Sequence, residues 1–77
     1  MYKIKVNLDK LLKEKNKTAY WLSKETGLSQ QNIGLLKNGK TKSIRFESIL
    51  KICIALDCEI GDLFEIDKHN NEKEVII

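Results

Sequence analysis

A three-residue joint between two short helical patterns is the feature that most constrains the fold. Gly27, Leu28 and Ser29 separate two segments of about eight residues with apolar positions at helical spacing. Thr18 and Ser29 are typical N-cap residues, and Gly27 tolerates the positive φ of a sharp turn after a helix. Helices connected by so short a joint must cross steeply. The sequence therefore predicts a tight corner between two helices.

Apolar residues identify the inside of this corner. At about 100° per residue, Ile33 and Leu36 share one side of the second helix, and Leu22 and Leu28 fit the same interior. The opposite side of that helix is then left exposed and carries Gln30, Gln31, Gly34, Leu35 and Asn38.

The segment before the corner predicts a strand and a helix. Tyr2, Ile4 and Val6 alternate with lysines, which is the period of a half-buried strand. Asn7 is predicted to cap a first helix over residues 8–15, with an acid in its first turn and lysines in its last.

The segment after the corner predicts two more helices. Apolar residues surround most of the helix expected over residues 46–56, so we expect it to be buried nearly all round, in the core or partly against another subunit. A short fifth helix near residues 61–64 would close the core. The fold class expected is a compact, all-α domain of five helices, with room for short β-strands at the termini.

The length of 77 residues suffices for one hydrophobic core. We predict one domain over residues 1–66 and a polar tail over residues 67–77. Because the tail ends in the apolar segment EVII, we expect residues 74–77 to pair with the strand at residues 3–6, within a subunit or across a dimer. A frayed terminus is the alternative.

Charge is divided unevenly along the chain. Residues 1–46 hold eleven Lys or Arg against three acids, a net charge of +8, whereas residues 47–77 hold three Lys against eight acids, a net charge of −5. A basic half suits a polyanion approached from one side. A lysine-rich solubilising surface would explain the same charges, so charge alone does not decide.

Several functional classes are not expected. Cys53 and Cys58 lie in an apolar segment far from the sole histidine, His69, which favours a reduced pair of core residues over a zinc site or disulfide. No phosphate-binding loop, nucleophile with adjacent histidine or carboxylate cluster is present, so we expect neither catalysis nor a cofactor. The absence of a membrane-length apolar run and of a signal-peptide pattern predicts a cytoplasmic protein without a membrane partner.

The exposed side of the second corner helix, residues 29–37, suits DNA. A glutamine can donate to and accept from the adenine edge in the major groove, and Gln30 and Gln31 stand at the start of this helix. Two glutamines alone would be read as ordinary solvated residues, but the corner and the cations after it favour DNA recognition. The residues placed to bond flanking phosphates are Asn38, Lys40, Lys42 and Arg45.

In these residues the chain resembles the Cro/C1-type helix-turn-helix family, the phage-repressor-like regulators of bacteria and their mobile elements. The matching segment is YWLSKETGLSQQNIGLLKNGKTK, and a looser similarity continues through FESILKICIALDCEIGDLF, so that about residues 7–65 are covered. The resemblance implies a lambda-repressor-like five-helix domain. It also implies that Gln30, Gln31 and Leu35 read bases, and that the DNA backbone is contacted by Thr18, Ser29, Asn32, Asn38, Lys40, Lys42 and Arg45, the last reaching toward a minor groove.

The chain departs from the family pattern at four positions. Ala19 replaces the usual glutamine, Trp21 replaces a common capping acid, and Ser23 replaces an inward alanine, so its hydroxyl must bond to a carbonyl if buried. Gly34 costs roughly 1 kcal/mol in helix propensity, which suggests close approach of a phosphate or partner to the backbone. We expect Trp21 and Tyr20 to pack on the N-terminal segment rather than touch DNA.

These observations favour a sequence-specific DNA-binding transcriptional regulator, a repressor that acts as a homodimer on an inverted repeat of double-stranded DNA. The alternative is a protein-interaction module, such as an antitoxin-like protein that holds a partner through its acidic C-terminal half.

Overall fold

Five helices and a two-stranded sheet make up residues 2–67, the part of the chain that the computed structural model describes. The order is β1 (Lys3–Val6), α1 (Leu8–Glu14), α2 (Ala19–Thr26), α3 (Gln30–Lys37), α4 (Phe46–Leu56), α5 (Ile60–Leu63) and β2 (Phe64–Asp67). The five helices and the N-terminal strand are therefore confirmed, with α1 one residue shorter than predicted. No helix in this part of the chain has the length and apolarity needed to cross a membrane.

All five helices contribute to one core. The buried apolar side chains are Leu8, Leu11 and Leu12 of α1, Leu22 of α2, Ile33 and Leu36 of α3, Ile52, Cys53 and Leu56 of α4, and Leu63 of α5. The inward face predicted for the corner from Leu22, Ile33 and Leu36 is confirmed, and Leu28 packs against the same core while half-buried.

Three helices end in the same way. One or two residues after each helix, a residue has a left-handed backbone, and the N–H of the next residue donates to a carbonyl five residues earlier, which satisfies carbonyls that the helix leaves unpaired. These residues are Asn16, Gly39 and Asp57, with φ of 61°, 72° and 52°. The N–H to carbonyl pairs run from Lys17 to Leu12, from Lys40 to Leu35 and from Cys58 to Cys53, at 2.8, 2.8 and 3.0 Å.

Asn7 is the N-cap residue of α1, as predicted, but its side chain makes no capping hydrogen bond. Asn7 precedes the helix, but its side-chain nitrogen donates to Glu65 Oε1 at 2.8 Å and lies 3.4 Å from the Asp62 carbonyl oxygen. The reason is tertiary: the Asn7 N–H also donates to the Leu63 carbonyl at 2.8 Å, so the end of α5 and the start of β2 lie beside the start of α1.

The sheet pairs the two ends of the described chain. β1 and β2 run antiparallel, with Ile4 opposite Ile66 and Val6 opposite Phe64. Phe64, predicted in the fifth helix, instead begins β2, because one helical turn brings the chain alongside β1. The predicted pairing of residues 74–77 with β1 lies outside the described residues, and the boundary between a domain and a tail near residue 66 stays a prediction.

The prediction that the core buries α4 nearly all round was wrong, whereas its alternative, partial burial against another subunit, stays a prediction. Ile52, Cys53 and Leu56 face the core, but Phe46, Leu50 and Ile54 are 89%, 58% and 69% exposed. The core offers α4 only one side, so the extra apolar residues form a second, uncovered stripe.

Cys53 and Cys58 are free thiols at the end of α4, Cys53 buried and Cys58 half-buried. Burial, reinforced by the neighbouring Cys53, raises the pKa of Cys58 to about 11. Ionisation of this thiol is therefore suppressed.

Candidate nucleic-acid interface

Two side-chain hydroxyls fix the corner between α2 and α3. Thr26 Oγ1 donates to the Leu22 carbonyl at 2.7 Å and accepts from the Leu28 N–H at 3.2 Å. Ser23 Oγ donates to the Leu28 carbonyl at 2.7 Å, as expected for a serine in this place. Gly27, with φ of 80°, makes the turn between them. The corner is thus held by backbone geometry and by hydrogen bonds on both sides of Leu28.

Each corner helix begins with the cap predicted from the sequence. The Trp21 N–H donates to Thr18 Oγ1 and the Asn32 N–H donates to Ser29 Oγ, both at 3.0 Å. In this role each hydroxyl is an acceptor, so its own proton remains available to a phosphate oxygen.

The N-termini of α2 and α3 differ from those of the other helices. Neither has an acidic residue in its first turn, whereas α1, α4 and α5 carry Asp9, Glu47 and Asp62 there. A carboxylate would neutralise the positive end of the helix dipole, which attracts anions when left uncompensated. The two helices of the corner are therefore the ones whose N-termini remain suited to phosphate.

The predicted base-reading residues lie on the outer side of α3. The side chains of Gln30 and Gln31 are exposed and make no hydrogen bond with any residue of the described chain. Leu35, one turn later, is 41% exposed. Two free carboxamides and an apolar contact are thus presented together on a helix whose other side is anchored in the core by Ile33 and Leu36.

A cation-lined groove adjoins this surface. It has a volume of about 550 Å³ and lies between α3 and the loop that leads to α4. Among the predicted DNA-contacting residues, Asn32, Leu35, Lys40, Lys42 and Arg45 line it. Within residues 2–67 none of the three cations forms an ion pair, so their charge is available to an anion in the groove.

Four of the other eight cations in residues 1–46 have partners in the described chain. Lys13 and Lys37 lie 3.1 and 3.8 Å from the carboxylate of Asp9. The Lys17 and Lys24 ammonium groups lie 4.7 and 5.3 Å from the ring centres of Trp21 and Tyr20, within the range of cation–π attraction. These four cations are therefore less available to an anion than the three that line the groove, while Lys3, Lys5, Lys10 and Lys15 also form no ion pair within residues 2–67.

The structure does not bring every predicted contact residue to the groove. Thr18 lies at the start of α2, Ser29 at the start of α3, and Asn38 is exposed at the end of α3, where its N–H donates to the Gly34 carbonyl at 3.0 Å. None of these three lines the groove. Their contacts with DNA stay predictions.

Three hydroxyl residues of the groove were missed by the sequence reasoning. Thr41, Ser43 and Ser48 line it together with the cations. For Thr41 and Ser43, the sequence signal was the segment TKS, because hydroxyls interleaved with cations often bond phosphates. Half-buried Ile44 packs against the core and anchors this loop.

The sequence also predicted what surrounds Trp21, Tyr20 and Gly34. Trp21 is half-buried and packs against the core, whereas Tyr20 is mostly exposed, and the packing of both on the N-terminal segment stays a prediction. At Gly34 an added Cβ would meet no atom within 4 Å, and its φ is not left-handed, so the fold of the described chain does not require glycine there.

Comparison with known proteins agrees with the fold of this domain. Residues 7–69 match the family model described as a Cro/C1-type HTH DNA-binding domain. The chain is 39% identical over 60 residues to the "Uncharacterized HTH-type transcriptional regulator YozG" of Bacillus subtilis (strain 168), which covers 78% of this chain and 71% of that protein. It is also similar to the crystal structure of the transcriptional regulator VanUg, with a TM-score of 0.70 and 28% identity over 86% of this chain and 87% of that one.

Proposed function

The chain belongs to the Cro/C1-type helix-turn-helix DNA-binding domain family, and we propose that it is a sequence-specific transcriptional repressor that reads the major groove with α3. The observation that carries this proposal is the juxtaposition, on one side of the molecule, of two unbonded carboxamides and a groove with three unpaired cations. The protein acts by binding in the cytoplasm and not by catalysis.

The outer side of α3 recognises the DNA bases. Gln30 and Gln31 each offer a donor and an acceptor, which match the N6 and N7 positions of adenine. Leu35 supplies an apolar surface that suits a thymine methyl group. Because the far side of α3 is buried, these side chains enter the groove on a rigid support.

The groove and the N-termini of α2 and α3 bind the DNA backbone. Lys40, Lys42 and Arg45 neutralise phosphates and release counterions, while the Ser29 and Thr18 hydroxyls and the uncompensated N-termini of α3 and α2 bond phosphate oxygens. These contacts set position and affinity but carry no direct sequence information. Two copies bind an inverted repeat whose half-sites are about one helical turn apart.

A salt series on a duplex of arbitrary sequence tests the electrostatic part. We expect Lys42→Ala to weaken binding and to reduce the slope of log affinity against log salt by about 1. Lys13→Ala is the matched control, because Lys13 already pairs with Asp9 on α1 and should leave the slope unchanged.

Equal slopes for the wild type and both variants would contradict a DNA surface at this groove. If affinity stayed weak for every duplex while the acidic C-terminal half captured a protein partner, the interaction-module alternative would be favoured instead.

A further inference from the structure

The exposed stripe of α4 is an apolar surface that the DNA-binding proposal leaves unused, and it includes the most exposed large apolar side chain of the described residues, Phe46. Phe46, Leu50 and Ile54 follow one another at intervals of four residues, so their side chains form a continuous ridge on the helix surface. Contiguous apolar patches on the surface of a soluble protein are candidate interaction sites.

Two oppositely charged residues lie beside this stripe. Lys51 Nζ lies 3.9 Å from Glu47 Oε2, one helical turn apart and both largely exposed. At about 100° per residue these two side chains lie on the same flank of the apolar ridge. The surface therefore has an apolar centre and one flank that carries both signs of charge.

This arrangement is self-complementary. If two α4 helices pack antiparallel about a two-fold axis beside Leu50, Phe46 of each copy meets Ile54 of the other, and Leu50 meets Leu50. The same operation places both charged flanks on one edge, where Glu47 of each copy approaches Lys51 of the other. An isologous interface needs such a match, because one patch must complement itself.

We propose that the α4 stripe is the homodimer interface and that its occupant is α4 of a second copy, packed antiparallel. The inference deepens the proposed function, which requires two copies on an inverted repeat. Phe46 directly follows Arg45, so the antiparallel pair puts the two cationic loops at opposite ends of the interface. Each copy can then present its own α3 on either side of the two-fold axis.

The molar mass of the full chain in the absence of DNA tests the interface. Because the stripe is small, we expect a dissociation constant on the order of 10 µM, measured by sedimentation from about 5 to about 500 µM. Leu50→Glu sets two carboxylates against each other at the axis and should leave a monomer of 8.9 kDa. Ile66→Glu is the matched control, since Ile66 is 56% exposed on the sheet and should not change the mass.

A wild type that is monomeric throughout the series would overturn the proposal. So would a Leu50→Glu variant that still dimerises, or an Ile66→Glu variant that does not. Circular dichroism of each variant separates lost assembly from lost folding.

A charge exchange tests the antiparallel arrangement. Glu47→Lys and Lys51→Glu should each weaken the dimer about tenfold at low salt, and the double exchange should restore it, because the pairs across the axis are re-formed. Failure of the double variant to recover would rule out this packing.

DNA binding can be judged separately. Leu50→Glu should bind a duplex holding one half-site as tightly as the wild type does, since the stripe lies outside the DNA surface. A wild type that dimerises but binds no DNA would refute the proposed function and leave the interface standing.

Discussion

At the scale of single residues, the structure separates side chains required by the fold from those left to a partner. Thr26 and Ser23 are bonded within the corner, whereas Gln30 and Gln31 have no such role in the described chain. Gly34 belongs to the second group, because its position would accept a Cβ. Residues that the fold does not require are therefore the best candidates for a binding role.

The first prediction concerns Gly34→Ala. Alanine should stabilise α3 by about 0.5 to 1 kcal/mol, because it restores helix propensity at a site with space for a methyl group. If the helix backbone approaches DNA at this position, affinity should fall at the same time. Urea unfolding and a mobility shift measure the two effects on one sample, and unchanged affinity would remove DNA contact as the reason for glycine.

The second prediction concerns Cys58. The folded protein keeps the thiol protonated to a pKa of about 11, above the ordinary value of 9.0. The unfolded chain therefore loses this proton first, and stability should fall as pH rises from about 9 toward 11. The urea midpoint should drop more between pH 8 and pH 10 for the wild type than for Cys58→Ser, and equal drops would refute the assignment.

At the scale of elements, local signals were good guides to helix ends and poor guides to tertiary surroundings. Thr18, Ser29 and Gly27 have the cap and turn roles that their chemistry predicts. Asn7 has the chemistry of a cap, but its side-chain nitrogen donates to the Glu65 carboxylate of β2, a tertiary contact that the local sequence does not reveal. Periodicity showed that α4 is apolar on most sides but not whether the core or another subunit covers each side, and the core covers only one.

The third prediction concerns the corner between α2 and α3. Thr26→Val keeps the volume of this buried side chain but removes two hydrogen bonds, so the free energy of unfolding should fall by about 1 to 2 kcal/mol. Thr26→Ser keeps the hydroxyl, so it is the control that should retain the two hydrogen bonds. If the serine variant were the less stable of the two, the hydrogen bonds would not be what holds the corner.

At the scale of the whole molecule, the sequence was enough to predict a single five-helix domain, its corner and a basic side. The site was predictable as far as α3 and the loop after it, since both follow from helical spacing and charge. The groove and its hydroxyl residues, Thr41, Ser43 and Ser48, were not, because they depend on how the loop returns toward α3. The pairing of β1 with β2 likewise joins segments sixty residues apart, and neither segment alone reveals it.

The central claim, that the exposed carboxamides of α3 read DNA bases, is tested most directly by selection of bound sequences from random duplex DNA with the wild type, Gln30→Ala and Gln31→Ala. The account predicts that the wild type enriches an inverted repeat, and that each variant loses preference at one base position in each half, a loss of about 1 to 3 kcal/mol there. No enriched sequence for the wild type, or the same base preferences for all three proteins, would contradict it.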